Sequence, residues 1–251
     1  MQTKNRPVVF AYYLWGNLAT SSGFKDFAKN TPFNNLHNEK AIQCPLINFT
    51  KGDIVSRSKK IGKKLNQLVK SRKLEEFDLV GFSMAGVDLR LVVQEDEELA
   101  SKVQNLVSVA SPLNGTVLSD VYLNDQLDAN HLEKTNIITG THYSDLMECT
   151  RDNMKLFKEY VPKIESINYH TVIGDKSFVE QCDTLQRVSS VLLESKANVG
   201  NVFNDGLFFD NEVREGENYM RFNADHYELS PLYPTKVKSA YYKIYEYLQQ
   251  Y

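Results

Sequence analysis

Cysteine is scarce in this chain of 251 residues: Cys44, Cys149 and Cys182 are odd in number, far apart and never paired as Cys-x-x-Cys. That spacing suits neither a disulfide framework nor a thiolate zinc site, and it reads as the reduced thiols of an intracellular protein. A basic excess is also missing, since 32 acids face 29 Lys and Arg for a net charge of -3. Nucleic acid is therefore not an expected partner, because phosphate binding needs a cationic footprint. The longest apolar stretch, over residues 7–15, falls well short of the roughly 20 residues that cross a bilayer as a helix. Glycine and proline, at 12 and 7 residues, form no linker, repeat or low-complexity tract. One domain spanning 1–251 is expected. Lys4 and Arg6 ahead of that apolar run, with Ala19, Thr20 and Ser21 beyond it, imitate a secretory leader. Tyr12 and Tyr13 interrupt the run, so the expectation is no cleaved leader and a cytoplasmic or organellar location, the mitochondrion included.

What is present is an alternation. Short runs rich in β-branched residues at 7–11, 43–49, 77–82, 106–110, 167–173 and 219–222 read as strands. Between them, 24–29, 54–73, 85–95 and 234–251 carry helical spacing. Strand, helix, strand, repeated, predicts an α/β fold with a mostly parallel central sheet and helices on both faces. Residues 117–162 are polar and helix-prone and exceed a plain crossover in length, so they are expected to form a helical cap or lid insertion.

The helix expected over 54–73 carries Arg57, Lys59, Lys60, Lys63, Lys64, Lys70, Arg72 and Lys73, with Lys51 just before it and Asp53 as the nearby acid. Two readings stand. A solvated amphipathic face with Ile54, Ile61, Leu65, Leu68 and Val69 turned inward is the simpler; peripheral contact with an anionic membrane surface is the other.

The sharpest chemical signal is Gly81-Phe82-Ser83-Met84-Ala85-Gly86, a buried strand running straight into a helix with a serine at the junction. This is the form of a nucleophile elbow, whose tight turn exposes a serine Oγ and demands small neighbours. A serine hydroxyl needs an imidazole to take its proton, and the imidazole needs a carboxylate to fix its tautomer. Of five histidines, His37, His131 and His142 fall in loop or cap-like segments and His170 inside an expected strand. His226, just after the last strand, has the right topological address for the base. For the acid, Asp175 follows a strand directly, Asp205 stands in Asn204-Asp205-Gly206-Leu207, and Asp210 is more distant. An Asn-Asp-Gly run is also a turn signal in its own right.

Taken in order, Gly81-Phe82-Ser83-Met84-Ala85-Gly86-Val87-Asp88-Leu89-Arg90, Ala110-Ser111-Pro112-Leu113-Asn114-Gly115-Thr116, Asn204-Asp205-Gly206-Leu207 and Asp225-His226-Tyr227-Glu228 resemble the landmarks of bacterial-type α/β-hydrolase triacylglycerol lipases. The resemblance runs from Val8 to Glu228. It implies Ser83 as nucleophile, Asp205 as acid and His226 as base, in the chain order this fold uses. It also implies an oxyanion hole built from the N–H groups of Leu14 and Met84. The family's His-Gly pair after the first strand is replaced here by Tyr12-Tyr13, which puts that hole in question. Glu228 stands where those lipases often place a calcium ligand, but no second ligand follows by motif, so neither metal nor cofactor is expected. The residues 150–162 resemble the helix after the lid.

The resulting expectation is a serine carboxylester hydrolase or lipase acting on acyl or lipid esters through an acyl-enzyme. The alternative is a weakened or inactive lipase-like subunit of a larger, membrane-associated assembly with protein partners not named by the sequence. A thioesterase or acyltransferase using the same residues is chemically adjacent.

Overall fold

Six runs of aliphatic and β-branched residues form one parallel sheet in the computed structural model, which describes residues 6–12, 41–43, 52–117, 119–120, 148–176, 204–226, 228–229, 234–248 and 250. The strands are β1 (Val8–Tyr12), β2 (Ala41–Gln43), β3 (Phe77–Phe82), β4 (Val103–Val109), β5 (Asn168–Gly174) and β6 (Tyr219–Phe222), in the order β2-β1-β3-β4-β5-β6. Every neighbouring pair is parallel. The order reverses between β1 and β3, whose ends meet with Tyr12 opposite Phe82. Open parallel sheets bind ligands at such a reversal, beyond the carboxyl ends of the strands.

Alternate residues of the central strands feed two cores. Val9, Ala11, Leu79 and Leu106 face one side with helices α1 (Ile54–Arg72), α2 (Met84–Glu95) and α4 (Arg151–Tyr160), while Val8, Phe10, Val80 and Val107 face the other with α6 (Pro234–Leu248). Between them lie two single-turn helices, α3 (Glu97–Ala100) and α5 (Asp210–Val213). Because both faces of the sheet are covered, every residue of β3 is buried, Asp78 included. Among the described residues no helix is long and apolar enough to cross a membrane.

The expected elements recur with shifted ends. β2 falls at 41–43 rather than 43–49, with 44–51 outside the described residues, and β4 begins at Val103, three residues before the expected 106. The helix expected over 24–29 lies outside the described residues. So do 118 and 121–147, most of the expected cap. Its described end is α4, capped by the Thr150 hydroxyl on Asn153 N–H at 3.1 Å and anchored by the fully buried Met154. Gly115 makes this approach feasible: it adopts φ +80°, and a Cβ there would run into the backbone of Arg151.

Helix α1 has the expected inward stripe of Ile61, Leu65 and Val69, and Asp53 caps its start by accepting from Ser56 N–H at 2.6 Å. Lys59, Lys60, Lys63 and Lys70 are exposed on the opposite side. Arg57 does not belong with them. It is fully buried, with its guanidinium on both Asp88 oxygens at 3.0–3.2 Å, on Glu148 Oε2 at 3.0 Å and on the Gly52 carbonyl at 2.7 Å. Glu148 Oε1 also accepts from Ile54 N–H at 2.8 Å. One cation thus ties α1, α2 and the turn before α4 together.

A second buried polar chain crosses the opposite, amino-terminal edge of the sheet. Arg6 pairs with Asp78 at 3.3 Å, Asn105 donates to Asp78 at 2.6 Å, and His170 Nε2 lies 3.1 Å from Asn105 Oδ1. Burial, with Lys163 nearby, pushes the His170 imidazole down to about 4. A depressed histidine binds its proton more tightly when unfolded, so its contribution to stability is present above about 6.5 and lost as pH falls through about 4. The full loss is about 3 kcal/mol. Urea unfolding at stepped pH should show that slope in the wild type and a flatter one in His170→Gln.

Candidate active site

Ser83 sits where β3 becomes α2, with φ 55° and ψ -134°, a conformation that costs a non-glycine residue on the order of 1–3 kcal/mol. The turn is enforced from both sides: Ser83 N–H donates to Val109 O at 2.8 Å, and Ser83 O accepts from Gly86 N–H at 3.0 Å. Crowding explains the small residues. A Cβ on Gly81 would stand 2.7 Å from the Cα and N of Gly86, and one on Gly86 would run into the Ser111 side chain. Ala85 is fully buried with its methyl accommodated, whereas neither Gly81 nor Gly86 has room for a side chain. Serine is a favoured helix N-cap, yet the Ser83 hydroxyl caps nothing in α2. Met84 opens that helix, in the first turn, where N–H groups have no intrahelical acceptor and the helix dipole favours negative charge.

The expected acid and the expected base lie together. His226 Nδ1 lies 2.8 Å from Asp205 Oδ2, both residues being 1% exposed. The other oxygen, Oδ1, accepts from the backbone N–H groups of Leu207 (2.9 Å) and Phe208 (2.7 Å), and His226 N–H donates to Asp205 O at 2.7 Å. Asn204 shapes the turn by accepting from Gly206 N–H at 2.9 Å, with Gly206 at φ 93°. The Asn-Asp-Gly run is therefore a turn and a histidine partner at once. Gly174, at the end of β5, lets both loops close over the strand, since a Cβ there would lie 2.6 Å from Asp205 Cβ and from Ala224 O.

Rings seat the imidazole beside the elbow. The ring of Phe82, the residue before Ser83, is centred 4.9 Å from that of His226, and Phe208 meets it edge-on at 5.2 Å. Segments far apart in the chain are thus gathered at the carboxyl ends of β3, β5 and β6. The rival acids are engaged elsewhere: Arg221 reaches Asp175 at 3.4 Å and Asp210 at 3.1 Å. His170 belongs to the buried chain under the sheet, and His37, His131 and His142 lie outside the described residues, as does Leu14.

Glu212 is a member of the site that the sequence does not announce. It is 3% exposed and accepts from Phe209 N–H at 2.8 Å and Val117 N–H at 2.5 Å, joining the acid loop to the start of the 117–162 segment. Burial pushes its carboxyl up to about 7, with Asp205 adding to the rise and those two N–H groups opposing it. A glutamate three residues past Phe209, at the head of a one-turn helix, is its faint signal. Glu228, at the position the resemblance links to a metal, takes the Lys176 ammonium at 2.8 Å. Among the described residues no three His, Cys, Asp or Glu side chains are grouped to hold a metal ion.

In three dimensions the chain is similar to the mature lipase BlEst2 of Bacillus licheniformis, with a TM-score of 0.71, 15% identity, and coverage of 99% of this chain and 93% of that one. The metagenomic carboxyl esterase MGS0156 gives 0.68 at 16% identity over 98% and 77%, and EstA from Clostridium botulinum 0.63 at 12% over 100% and 88%. At such identities the likeness shows the fold. No curated protein matches the sequence. The family described as "Alpha/beta hydrolase of unknown function (DUF915)" matches residues 31–163, just over half of the chain. The parallel sheet, the strained serine at its reversal and this match make the chain a member of that α/β-hydrolase family.

Proposed function

We propose that the protein is a serine carboxylester hydrolase acting on acyl esters, lipid esters included. The observation that carries this reading is the buried Asp205–His226 pair at 2.8 Å, packed on the ring of Phe82 immediately before the strained Ser83. The names of the structural neighbours, a lipase and a carboxyl esterase, support the same class.

In this reading Ser83 Oγ attacks the ester carbonyl while His226 Nε2 takes its proton. The new oxygen–carbon bond gives a tetrahedral oxyanion, and Asp205 on Nδ1 stabilises the imidazolium. The imidazolium then protonates the departing alkoxide, which leaves as an alcohol, and the acyl group remains on Ser83. Water, deprotonated by His226, attacks that acyl group and releases the acid. Met84 N–H at the start of α2 is proposed to face the oxyanion. Leu14 N–H is proposed as the second donor, and residues 117–162 as the cap over an apolar acyl site.

Release of p-nitrophenol from short and medium acyl esters by the wild type, lost in Ser83→Ala, together with fluorophosphonate labelling at Ser83, would support this. Silence in both assays would overturn it and return the chain to the class of inert lipase-like subunits.

A further inference from the structure

Beside the histidine lies a buried cation that the reaction described above does not use. Lys176 is 8% exposed and stands two residues past Gly174 at the end of β5. Its ammonium is 2.8 Å from Glu228 Oε2 and 3.4 Å from Asp225 Oδ2, and its backbone N–H donates to Asn204 O at 3.2 Å. It thereby touches the β5 end, the residue before Asp205, and both flanks of His226.

The two carboxylates are 0% and 2% exposed and bracket the histidine in the chain. They close the loop on itself: Asp225 N–H donates to Glu228 Oε2 at 3.1 Å, and Glu228 N–H to Asp225 Oδ1 at 2.9 Å. Two buried carboxylates this close repel each other and lack bulk water, so the loop's shape depends on a compensating positive charge. Leu229 N–H, donating to Asp225 O at 2.9 Å, completes the turn.

We propose that Lys176 is a positioning residue, an internal fixed cation that holds the His226 loop closed and sets the electrostatic field in which His226 exchanges its proton. This rests on the reading of His226 as the base. The charged groups around it are Asp205 on Nδ1, Asp225 and Glu228 in its own loop, Lys176 from the segment after β5, and Glu212 behind Asp205. Arg221, from β6, is directed to Asp175 and Asp210. Removing the Lys176 charge leaves a more negative field against the imidazole. That field favours the imidazolium, and the loop loses the tie that aims the ring.

The test is an NMR titration of the His226 side chain, assigned by its loss in His226→Gln, run on the full chain beside ester kinetics. In Lys176→Met the titration midpoint and the acid limb of kcat/KM should both rise by roughly one pH unit. The value of kcat should fall tenfold or more with KM within about twofold of wild type. Lys176→Arg should titrate as the wild type, whereas Glu228→Gln, which removes a negative charge, should shift the midpoint down. A folded Lys176→Met with the wild-type midpoint and kcat overturns the proposal. If Lys176→Met does not fold, an unshifted Glu228→Gln overturns it. A wild type that turns over no ester but shows the titration shifts would sink the hydrolase reading alone.

Discussion

Replacing Asp205 by asparagine is expected to slow ester turnover about 10⁴-fold while leaving the fold and KM nearly intact. The reason lies in which oxygen does what. Oδ1 is held by the N–H groups of Leu207 and Phe208, and only Oδ2 meets His226 Nδ1. In the Asp205→Asn variant those two donors keep the remaining oxygen in the Oδ1 place, which turns the NH₂ toward the imidazole. Nδ1 must then accept, the ring proton moves to Nε2, and the nitrogen proposed to take the Ser83 proton has no lone pair for it. His226→Gln should lose at least as much, because it removes the proposed base itself. Asp175→Asn and Asp210→Asn serve as controls, since Arg221 binds both away from the imidazole. Steady-state kcat on a p-nitrophenyl ester decides: a collapse in Asp175→Asn with Asp205→Asn unaffected would reassign the acid.

The parts of this site visible in the sequence are those that depend on neighbours in the chain. The elbow is local, because a strand ending in Gly-x-Ser-x-Ala forces both the strain at Ser83 and the helix after it. His226 is accessible through topology, as the histidine following the last strand. Asp205 is not separable from Asp175 on residues alone, because Asn-Asp-Gly encodes a turn whether or not a histidine sits above it. Resemblance favours it, and the 2.8 Å contact gives the physical ground. Lys176 and the Phe82 ring are invisible for a different reason, and Glu212 shows only its short-range contact with Phe209. Each also reaches a partner 49 or more positions away, where no periodicity or motif links the two ends. Strand ends shift by a few residues for a similar reason: pairing with the neighbour, as between Val103 and Phe77, sets where a strand starts, and the partner is not written in the local pattern.

Arg57 shows the same limit in energetic form and carries the largest expected effect on stability. Its place among seven other basic residues makes it look like part of a solvated face, yet it is buried against Asp88, Glu148 and the Gly52 carbonyl. Arg57→Met fills much of the same volume but takes the guanidinium away from the fully buried Asp88 carboxylate. An uncompensated buried charge typically costs about 3–5 kcal/mol, which for a chain of this length corresponds to a melting temperature lower by roughly 10 °C. Exposed Lys63→Met, one to two turns further along α1, should change stability by less than about 0.5 kcal/mol. The deciding comparison is the double variant Arg57→Met/Asp88→Leu. With that carboxylate gone as well, most of the loss should return, because the penalty lies in the charge left behind rather than in the contact removed. If the double variant melts as low as Arg57→Met alone, the ion pair itself is the source of stability. The lock between α1 and α2 would then rest on charge rather than on the apolar seam of Ile61, Leu65 and Val69.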